Sequence, residues 1–233
     1  MRRVVESELL DLLPFDDPRA ARSRADIRRL NTLMGHAGIL TRAFQRHAPS
    51  RPGPGRPLRI VELGGGDGTF LTKLARRWSA LGIKAEVIVI DRHPVLSAAT
   101  CEACATVGWQ VRCLTADVFD GLEQLSETAD VMLANLFLHH FEDEALHRLL
   151  TAAAARTRLF LACEPCRSRF ALLFSHLLGL IGCNSVTRYD AVVSVRAGFA
   201  GKDLAALWPA DQGWRVKERS AGLFSHLFVA ARS

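Results

Sequence analysis

A glycine-rich segment between an apolar run and a helical pattern is the part of the sequence best suited to chemistry. Residues 61–70 read V-E-L-G-G-G-D-G-T-F. Glycines let the chain turn tightly and approach a ligand without a side chain in the way. The helix that follows offers free N–H groups and the positive end of its dipole. This combination predicts a cofactor site at the junction.

Two common glycine loops are excluded by the register of these glycines. A nicotinamide-binding loop reads G-x-G-x-x-G, but the glycines here stand at 64, 65, 66 and 68, and Thr69 takes the last position. A Walker loop requires Gly-Lys followed by Ser or Thr, and the segment has no such triplet. The loop therefore points to a different cofactor.

The segment resembles the first motif of class I S-adenosylmethionine-dependent methyltransferases, an acidic residue followed by alternating glycines. Glu62, Gly64, Gly66 and Gly68 match that motif. The resemblance covers about residues 58–233, and it implies S-adenosylmethionine as the cofactor. Read from the residues alone, Glu62 could instead cap a helix or form a salt bridge.

Residues that follow three further strands extend the resemblance. The second strand ends at Asp91-Arg92, where the family uses an acidic residue to accept hydrogen bonds from both ribose hydroxyls. The third leads to Asp117-Val118, which the resemblance assigns to the adenine amino group, and the fourth ends at Asn135, beside the methionine moiety. Alternatively, Asp91 ends a strand at an ordinary turn, and Asp117 caps a helix that begins at Val118.

Two histidines and a glutamate follow the strands on which an acceptor would lie. His139 and His140 come directly after the fourth strand, and Glu164 ends the fifth. Imidazole titrates near neutral pH, so either histidine is a candidate base for an acceptor hydroxyl. Glu164 could orient the histidine or the acceptor. The alternative is structural, with one histidine capping or packing and the other facing solvent.

The segment 165–200 is extra sequence at a point where class I enzymes commonly carry substrate-binding elements. Its first half is apolar and predicts a helix with Phe170 and Phe174 on one face. Together with Tyr189, these residues are candidates for contact with an aromatic or lipophilic acceptor. The alternative is a helix that only packs on the N-terminal helices.

Short apolar runs alternate with helical patterns over most of the chain, which predicts an α/β fold with helices on both faces of a Rossmann-like sheet. Two further strands with a turn at 220–222 predict a hairpin, so the seven-stranded sheet ends antiparallel. The predicted strands are 58–63, 85–90, 110–115, 131–135, 158–163, 214–219 and 223–231, and the predicted helices are 69–81, 94–107 and 143–155.

The N-terminal 48 residues are predicted to form a helical cap. An apolar cluster ends at Pro14, and a second helix runs from near Pro18 to about Arg46, with Gly35 and Gly38 as possible breaks. Residues 49–57 hold four prolines and two glycines, a composition typical of a linker. The methyltransferase domain would then span 58–233.

Composition places the chain among globular proteins, with 49% hydrophobic and 23% charged residues and a net charge of +6. Its six cysteines include two C-x-x-C pairs, which we interpret as free thiols rather than a zinc site. No apolar run is long enough for a membrane span. We therefore expect a cytoplasmic protein with no metal and no membrane span, and a homodimer is possible.

These features favour an enzyme that methylates a small aromatic, quinone-like or polyketide-like molecule, with O-methylation preferred. A C-methyltransferase acting on a similar ring is the first alternative. A non-catalytic binding or regulatory protein with the same fold is another. A nucleic-acid methyltransferase is disfavoured because strand four continues as Asn135-Leu136-Phe137-Leu138, without an N-P-P-Y motif, and no basic-aromatic surface is evident.

Overall fold

The computed structural model of the protein describes residues 1–14, 16–48, 56–94, 96–209 and 213–232. The strands are β1 (Leu58–Leu63), β2 (Ala85–Asp91), β3 (Trp109–Thr115), β4 (Val131–Asn135), β5 (Leu159–Pro165), β6 (Trp214–Ala221) and β7 (Ser225–Arg232). The helices are α1 (Leu9–Leu12), α2 (Pro18–Met34), α3 (His36–His47), α4 (Thr69–Ser79), α5 (Ala98–Ala105), α6 (Val118–Glu123), α7 (Asp143–Arg156), α8 (Arg169–His176), α9 (Ser185–Ala197) and α10 (Asp203–Leu207). Short 3-10 turns cover Leu138–His140 and Leu178–Ile181.

The strands form one seven-stranded sheet in the order β3-β2-β1-β4-β5-β7-β6. Strands β1 to β5 run parallel, and β7 pairs antiparallel with both β5 and β6. The carboxyl ends of β1 to β5 therefore meet at one edge of the sheet. The predicted seven-stranded α/β fold with an antiparallel end is confirmed.

Both faces of the sheet are buried, which explains why its central strands are nearly continuous apolar runs. On β1, Ile60 packs with the core beneath α3 and α4, whereas the next residue, Val61, packs with the core beneath α6 and α7. This alternation follows from the period of two along a strand. It fixes the register that brings the glycine loop to the carboxyl edge.

Local turn chemistry moves several element bounds away from those predicted. Helix α5 begins at Ala98 and not at 94, because Ser97 caps it by accepting a hydrogen bond from the Thr100 N–H. The last hairpin turns at residues 222–224, two positions later than predicted, since β6 continues to Ala221. The apolar helix after β5 is shorter than its sequence pattern, because α8 ends at His176.

The long N-terminal helix is broken at Gly35, whose left-handed φ of +69° separates α2 from α3. Helix α3 packs in the core beside α4, where the Phe44 and Trp78 rings stack with centroids 4.0 Å apart. Helix α3 lies before the predicted domain boundary at residue 48 and α4 lies after it, yet both helices contribute to the same core. Most of the predicted linker, residues 49–55, lies outside the described residues.

Across the described ranges, none of the helices combines the length and the apolar character that a membrane crossing requires.

Candidate active site

The glycine loop after β1 has backbone conformations that favour glycine. Gly64, Gly66 and Gly68 have φ of +72°, +57° and +72°, in the left-handed region. A Cβ at Gly64 would lie 2.3 Å from the Phe137 ring, whereas a Cβ at Gly66 would meet nothing within 4 Å. Phe137 therefore packs closely against the loop at Gly64, whereas the space beside Gly66 is open.

Glu62 is a buried carboxylic acid without a full set of partners. It is 1% exposed, and its Oε2 has no hydrogen-bond partner among the described residues. Burial, with a smaller contribution from the Asp91 carboxylate, raises its pKa to about 8. A buried acceptor left open beside a glycine loop is the kind of group that a ligand donor would satisfy.

Asp91 and Asp117 lie at the ends of β2 and β3. Asp91 accepts hydrogen bonds from the backbone N–H of Gly66, at 3.3 Å, and of His93, at 3.0 Å, so it links β2 to the glycine loop. Asp117 caps α6 through the Phe119 N–H and forms an ion pair with Arg92 at 2.9 Å. The capping alternative for Asp117 is thus present in the fold, and it leaves the role of Asp117 toward adenine a prediction.

Two other residues predicted to bind the cofactor are buried. Val118 packs in the core beneath α6. The Oδ1 of Asn135 accepts a hydrogen bond from Nδ1 of His36 at 2.9 Å, and His36 Nε2 accepts one from Ser225 at 2.8 Å. Burial lowers the pKa of His36 to about 4, so this imidazole is neutral. Helix α3 and β7 thereby fix the end of β4.

Glu164 holds the loop after β4 in place. Its Oε1 accepts from the backbone N–H groups of Phe137 and Leu138, each at 3.0 Å, and its Oε2 accepts from His139 Nδ1 at 2.8 Å. These bonds and the His139 charge lower its pKa despite complete burial. They also hold Leu136 at a φ of +54°, a conformation that a leucine rarely adopts.

His139 is enclosed between two carboxylates. Its Nε2 lies 3.3 Å from Oε1 of Glu8, which also accepts a hydrogen bond from Ser194. Burial opposes the charged form, but the hydrogen bonds to Glu164 and Glu8 prevail and raise the His139 pKa to about 9. At neutral pH this imidazole is therefore charged, with both ring nitrogens engaged, so it has no free lone pair to accept a proton.

His140 has the opposite character. Its side chain is 30% exposed, and its Nδ1 lies 3.6 Å from the Asp11 carboxylate. Burial and the positive charge of His139 lower its pKa, so the ring is neutral near pH 7. The two rings lie 4.3 Å apart. Of the two histidines, His140 is the one that can accept a proton.

The same cluster could also hold a metal ion. Ligand atoms of Glu8, His139 and His140 lie within 4.8 Å of one another. Imidazole and carboxylate together suit zinc and other transition metals. The two C-x-x-C pairs lie apart from this cluster and from each other, one on α5 and one at the end of β5, and their four cysteines are free thiols.

The predicted acceptor-binding residues lie on the two helices that follow β5. Phe170 and Phe174 are 43% and 40% exposed, and both rings pack against Phe224 in the last hairpin turn, with centroids 5.8 and 5.4 Å away. Tyr189 on α9 is also exposed, and the next residue, Asp190, accepts two hydrogen bonds from the start of α1. The structure thus gathers apolar side chains at the carboxyl edge.

A family profile described as a methyltransferase domain matches residues 60–158, which include the glycine loop and the ends of β2, β3 and β4. Over these residues the predicted resemblance to class I S-adenosylmethionine-dependent methyltransferases is confirmed. The profile match and the shared fold support a methyltransferase that uses S-adenosylmethionine.

Solved methyltransferase structures share the fold at low sequence identity. An O-methyltransferase family protein from Burkholderia thailandensis is 21% identical with a TM-score of 0.61, and the match covers 94% of this chain and 61% of that one. The plantazolicin methyltransferase BamL, solved with a triazolic desmethylPZN analogue and S-adenosylhomocysteine, is 11% identical with a TM-score of 0.64, and the match covers 94% of this chain and 93% of that one. PigF with S-adenosylhomocysteine is 16% identical with a TM-score of 0.59, covering 97% and 63%.

The chain thus spans only about three-fifths of the first of these relatives. A comparison with curated protein sequences finds no match.

Sequence reasoning missed the residues that the N-terminal segment contributes to the site. Glu8, Asp11 and His36 contact His139, His140 and Asn135, respectively. Glu8 and His139 are 131 positions apart, so no spacing motif joins them. The only available signal was an acidic residue beside an apolar cluster, which by itself is typical of any amphipathic helix.

Proposed function

We propose that this protein is an S-adenosylmethionine-dependent methyltransferase. It would transfer a methyl group to the hydroxyl of a small aromatic, quinone-like or polyketide-like acceptor, with His140 as the general base. The observation that carries the proposal is the difference between the two adjacent histidines. His139 is charged and held from both sides, whereas His140 is neutral and partly exposed.

The residues around the glycine loop fit S-adenosylmethionine. The buried Oε2 of Glu62 lacks a donor, and the space above Gly66 is open. We propose that Asp91 accepts from the ribose hydroxyls, that Asp117, Val118 and Arg92 line the adenine site, and that Glu62 and Asn135 lie toward the methionine moiety. S-adenosylmethionine supplies an electrophilic methyl group on a sulfonium.

The chain's own residues then have to orient the acceptor and remove its proton. A phenol has a pKa of about 10, so only about one molecule in a thousand is ionised at neutral pH. His140 would accept that proton at a ring nitrogen, and Asp11 would stabilise the resulting imidazolium. Glu164, Glu8 and His139 are positioning residues, because they fix the loop that carries His140.

The proposed acceptor class is supported by an apolar surface on the segment that follows β5. Exposed apolar side chains on α8 and the turn after it offer a face suited to a flat or lipophilic molecule. The members are Phe170, Leu173, Phe174, Leu177, Leu180 and Ile181. The N-terminal segment, which carries Glu8 and Asp11, would cover this acceptor site.

The test is His140→Ala, assayed with phenolic acceptors and labelled methyl donor across about pH 6 to 10, the span between the two relevant pKa values. We expect turnover to fall by about 10²- to 10⁴-fold near pH 7. The defect should shrink as the pH approaches the acceptor's own pKa, because the ionised acceptor needs no base. Since the His140 pKa is lowered, the parent enzyme should keep its rate on the acid side of pH 6.5.

His147→Ala is the matched control, because His147 is an exposed histidine on α7 whose Nδ1 bonds to the Leu207 carbonyl. A His140→Ala defect that persists at high pH would indicate a packing role, and unchanged turnover would rule out base catalysis. Chelation followed by dialysis should leave the rate unchanged. A loss restored by zinc would instead assign Glu8, His139 and His140 to a metal.

C-methylation of a similar ring is distinguished by the position of the label in the product. The absence of a nucleic-acid partner, a homodimeric state and a cytoplasmic location stay predictions.

A further inference from the structure

A pocket of about 570 Å³ lies between α3, α4 and the end of β6, apart from the glycine loop. Its walls carry four arginines, Arg42 and Arg46 from α3, Arg77 from α4 and Arg219 from β6. Its apolar floor includes Ile39 and Ala221. The volume is in the usual range for small-molecule sites, about 300 to 1,000 Å³.

Among the residues that the structure describes, none of those lining this arginine pocket is acidic. Within the described ranges, none of its four guanidinium groups has a carboxylate within ion-pair distance, although other arginines such as Arg28 and Arg167 do. Of the four, Arg219 donates a hydrogen bond to the neighbouring Ser220 carbonyl. Four like charges around one concavity repel one another, and an anion would relieve that repulsion.

A second concavity, at the opposite edge of the sheet, is different. It is lined by Arg59 and Arg112, but Glu86 and Glu127 lie among them, and Arg59 forms an ion pair with Glu127. Its charges are therefore balanced by the protein itself. Arginines in a concavity of this protein are therefore not always without acidic neighbours, and the unbalanced positive charge is specific to the arginine pocket.

The positive surface continues along β6 beyond the pocket. Arg215, Lys217 and Arg219 alternate on the exposed face of this edge strand. His47, at the end of α3, has a pKa lowered by burial and by the nearby charges of Lys217, Arg215 and Arg46. These cations would attract an anion toward the pocket.

We propose that the arginine pocket binds a compact phosphate-bearing ligand, such as a diphosphate or nucleotide-like group. Guanidinium groups match phosphate oxygens with paired N–H donors, and several of them around one concavity suit two linked phosphates better than a single carboxylate. The phosphate could belong to a free metabolite or to a lipid headgroup. The pocket adjoins the buried end of β4, because Gly35 precedes His36 and Ala221 pairs with Ser225.

Calorimetric titration of the full chain with inorganic diphosphate tests this proposal. Arg77→Gln and Arg219→Gln change exposed side chains, so we expect both variants to keep the parent's melting temperature while affinity falls about tenfold or more in each. Arg112→Gln, on the opposite edge strand, is the matched control and should bind as the parent does. Undetectable diphosphate binding, or equal losses in all three variants, would overturn the proposal.

Vesicles of phosphatidylcholine with and without phosphatidic acid identify the source of the phosphate. Binding to the acidic vesicles that diphosphate displaces, and that Arg77→Gln weakens, supports a lipid headgroup in the pocket. Diphosphate binding without vesicle binding supports a free ligand. Vesicle binding that all three variants retain and diphosphate does not displace would contradict a specific phosphate site.

Discussion

Glu62 and Glu164 are both glutamates buried at the carboxyl edge of the sheet, with 1% and 0% of their surface exposed. Burial acts on both carboxylates in the same direction, yet their pKa values move oppositely. Glu62 rises to about 8, whereas Glu164 falls below its ordinary value. The difference lies in their partners, since Glu164 accepts bonds from two backbone N–H groups and from His139, and Glu62 Oε2 has none.

This contrast separates the two halves of the candidate site: the proposed acceptor half, around Glu164 and His139, and the proposed cofactor half, around Glu62 and the glycine loop. At the acceptor half, the protein supplies every partner of its buried carboxylate and so fixes a strained loop. At the cofactor half, it leaves a buried oxygen open. A satisfied carboxylate stabilises the folded chain, whereas an unsatisfied one favours a ligand that brings a donor or a positive charge.

The largest effect expected from this comparison is on stability. Glu164→Gln removes the negative charge that balances His139, so the free energy of unfolding at pH 7 should fall by about 3–5 kcal/mol. Glu62→Gln should instead raise it, because the amide replaces a neutral acid in the folded chain and removes a carboxyl group that ionises at pH 7 in the unfolded chain. Urea unfolding of the two variants and the parent measures both changes in the free energy of unfolding. Equal losses would show that burial alone governs the two positions.

The cofactor half was more predictable from the sequence than the acceptor half. The strand, the glycines at 64, 66 and 68 and the following helix are contiguous, and their local conformations follow from residue type. The same holds for the break at Gly35. The bounds of α5 and of the last hairpin were missed because a cap residue and the length of an edge strand decide them.

The acceptor half depends on contacts between distant segments. Glu8 reaches His139, and His36 reaches Asn135, across 131 and 99 positions. These pairs form only once α1 and α3 have packed on β5 and α9, and a single sequence shows no periodicity that links them. The sequence singles out the His139–His140 pair as a candidate, but the opposite charge states of its members depend on those contacts.

A smaller effect is expected at Asp91, which joins the glycine loop to the proposed ribose site. Asp91→Ala would leave ribose hydroxyls without an acceptor, so we expect cofactor affinity to fall by about 1–3 kcal/mol. Asp117→Ala serves as the comparison, because loss of the α6 cap should lower stability as well as affinity. Titration calorimetry with S-adenosylhomocysteine measures the affinity of both variants, and thermal unfolding measures their stability. Parent-like affinity in Asp91→Ala would remove Asp91 from the ribose site.

The smallest expected effect is the release of a proton from Glu62 when the cofactor binds. This effect is specific to Glu62, because its Oε2 lacks a hydrogen-bond partner among the described residues. The cofactor carries an ammonium and a sulfonium, and a positive charge near Glu62 would favour its ionised form. Because the Glu62 pKa is about 8 without ligand, binding at pH 7 should release close to one proton. Below pH 8, affinity should then fall by up to tenfold per pH unit, about 1.4 kcal/mol.

The raised pKa of Glu62 also affects how stability depends on pH. Its effect is opposite to that of a carboxyl group whose pKa is lowered by folding. Between an unfolded pKa of 4.5 and the folded value of about 8, the folded chain holds a proton that the unfolded chain has lost. Stability without cofactor should therefore decrease as the pH rises through this window, and Glu62→Gln should remove that part of the slope. Titration of cofactor in buffers of different ionisation enthalpy counts the protons. A parent that releases none, or a Glu62→Gln variant that releases as many as the parent, would place the cofactor's positive charge away from Glu62 and leave its open oxygen without a ligand role.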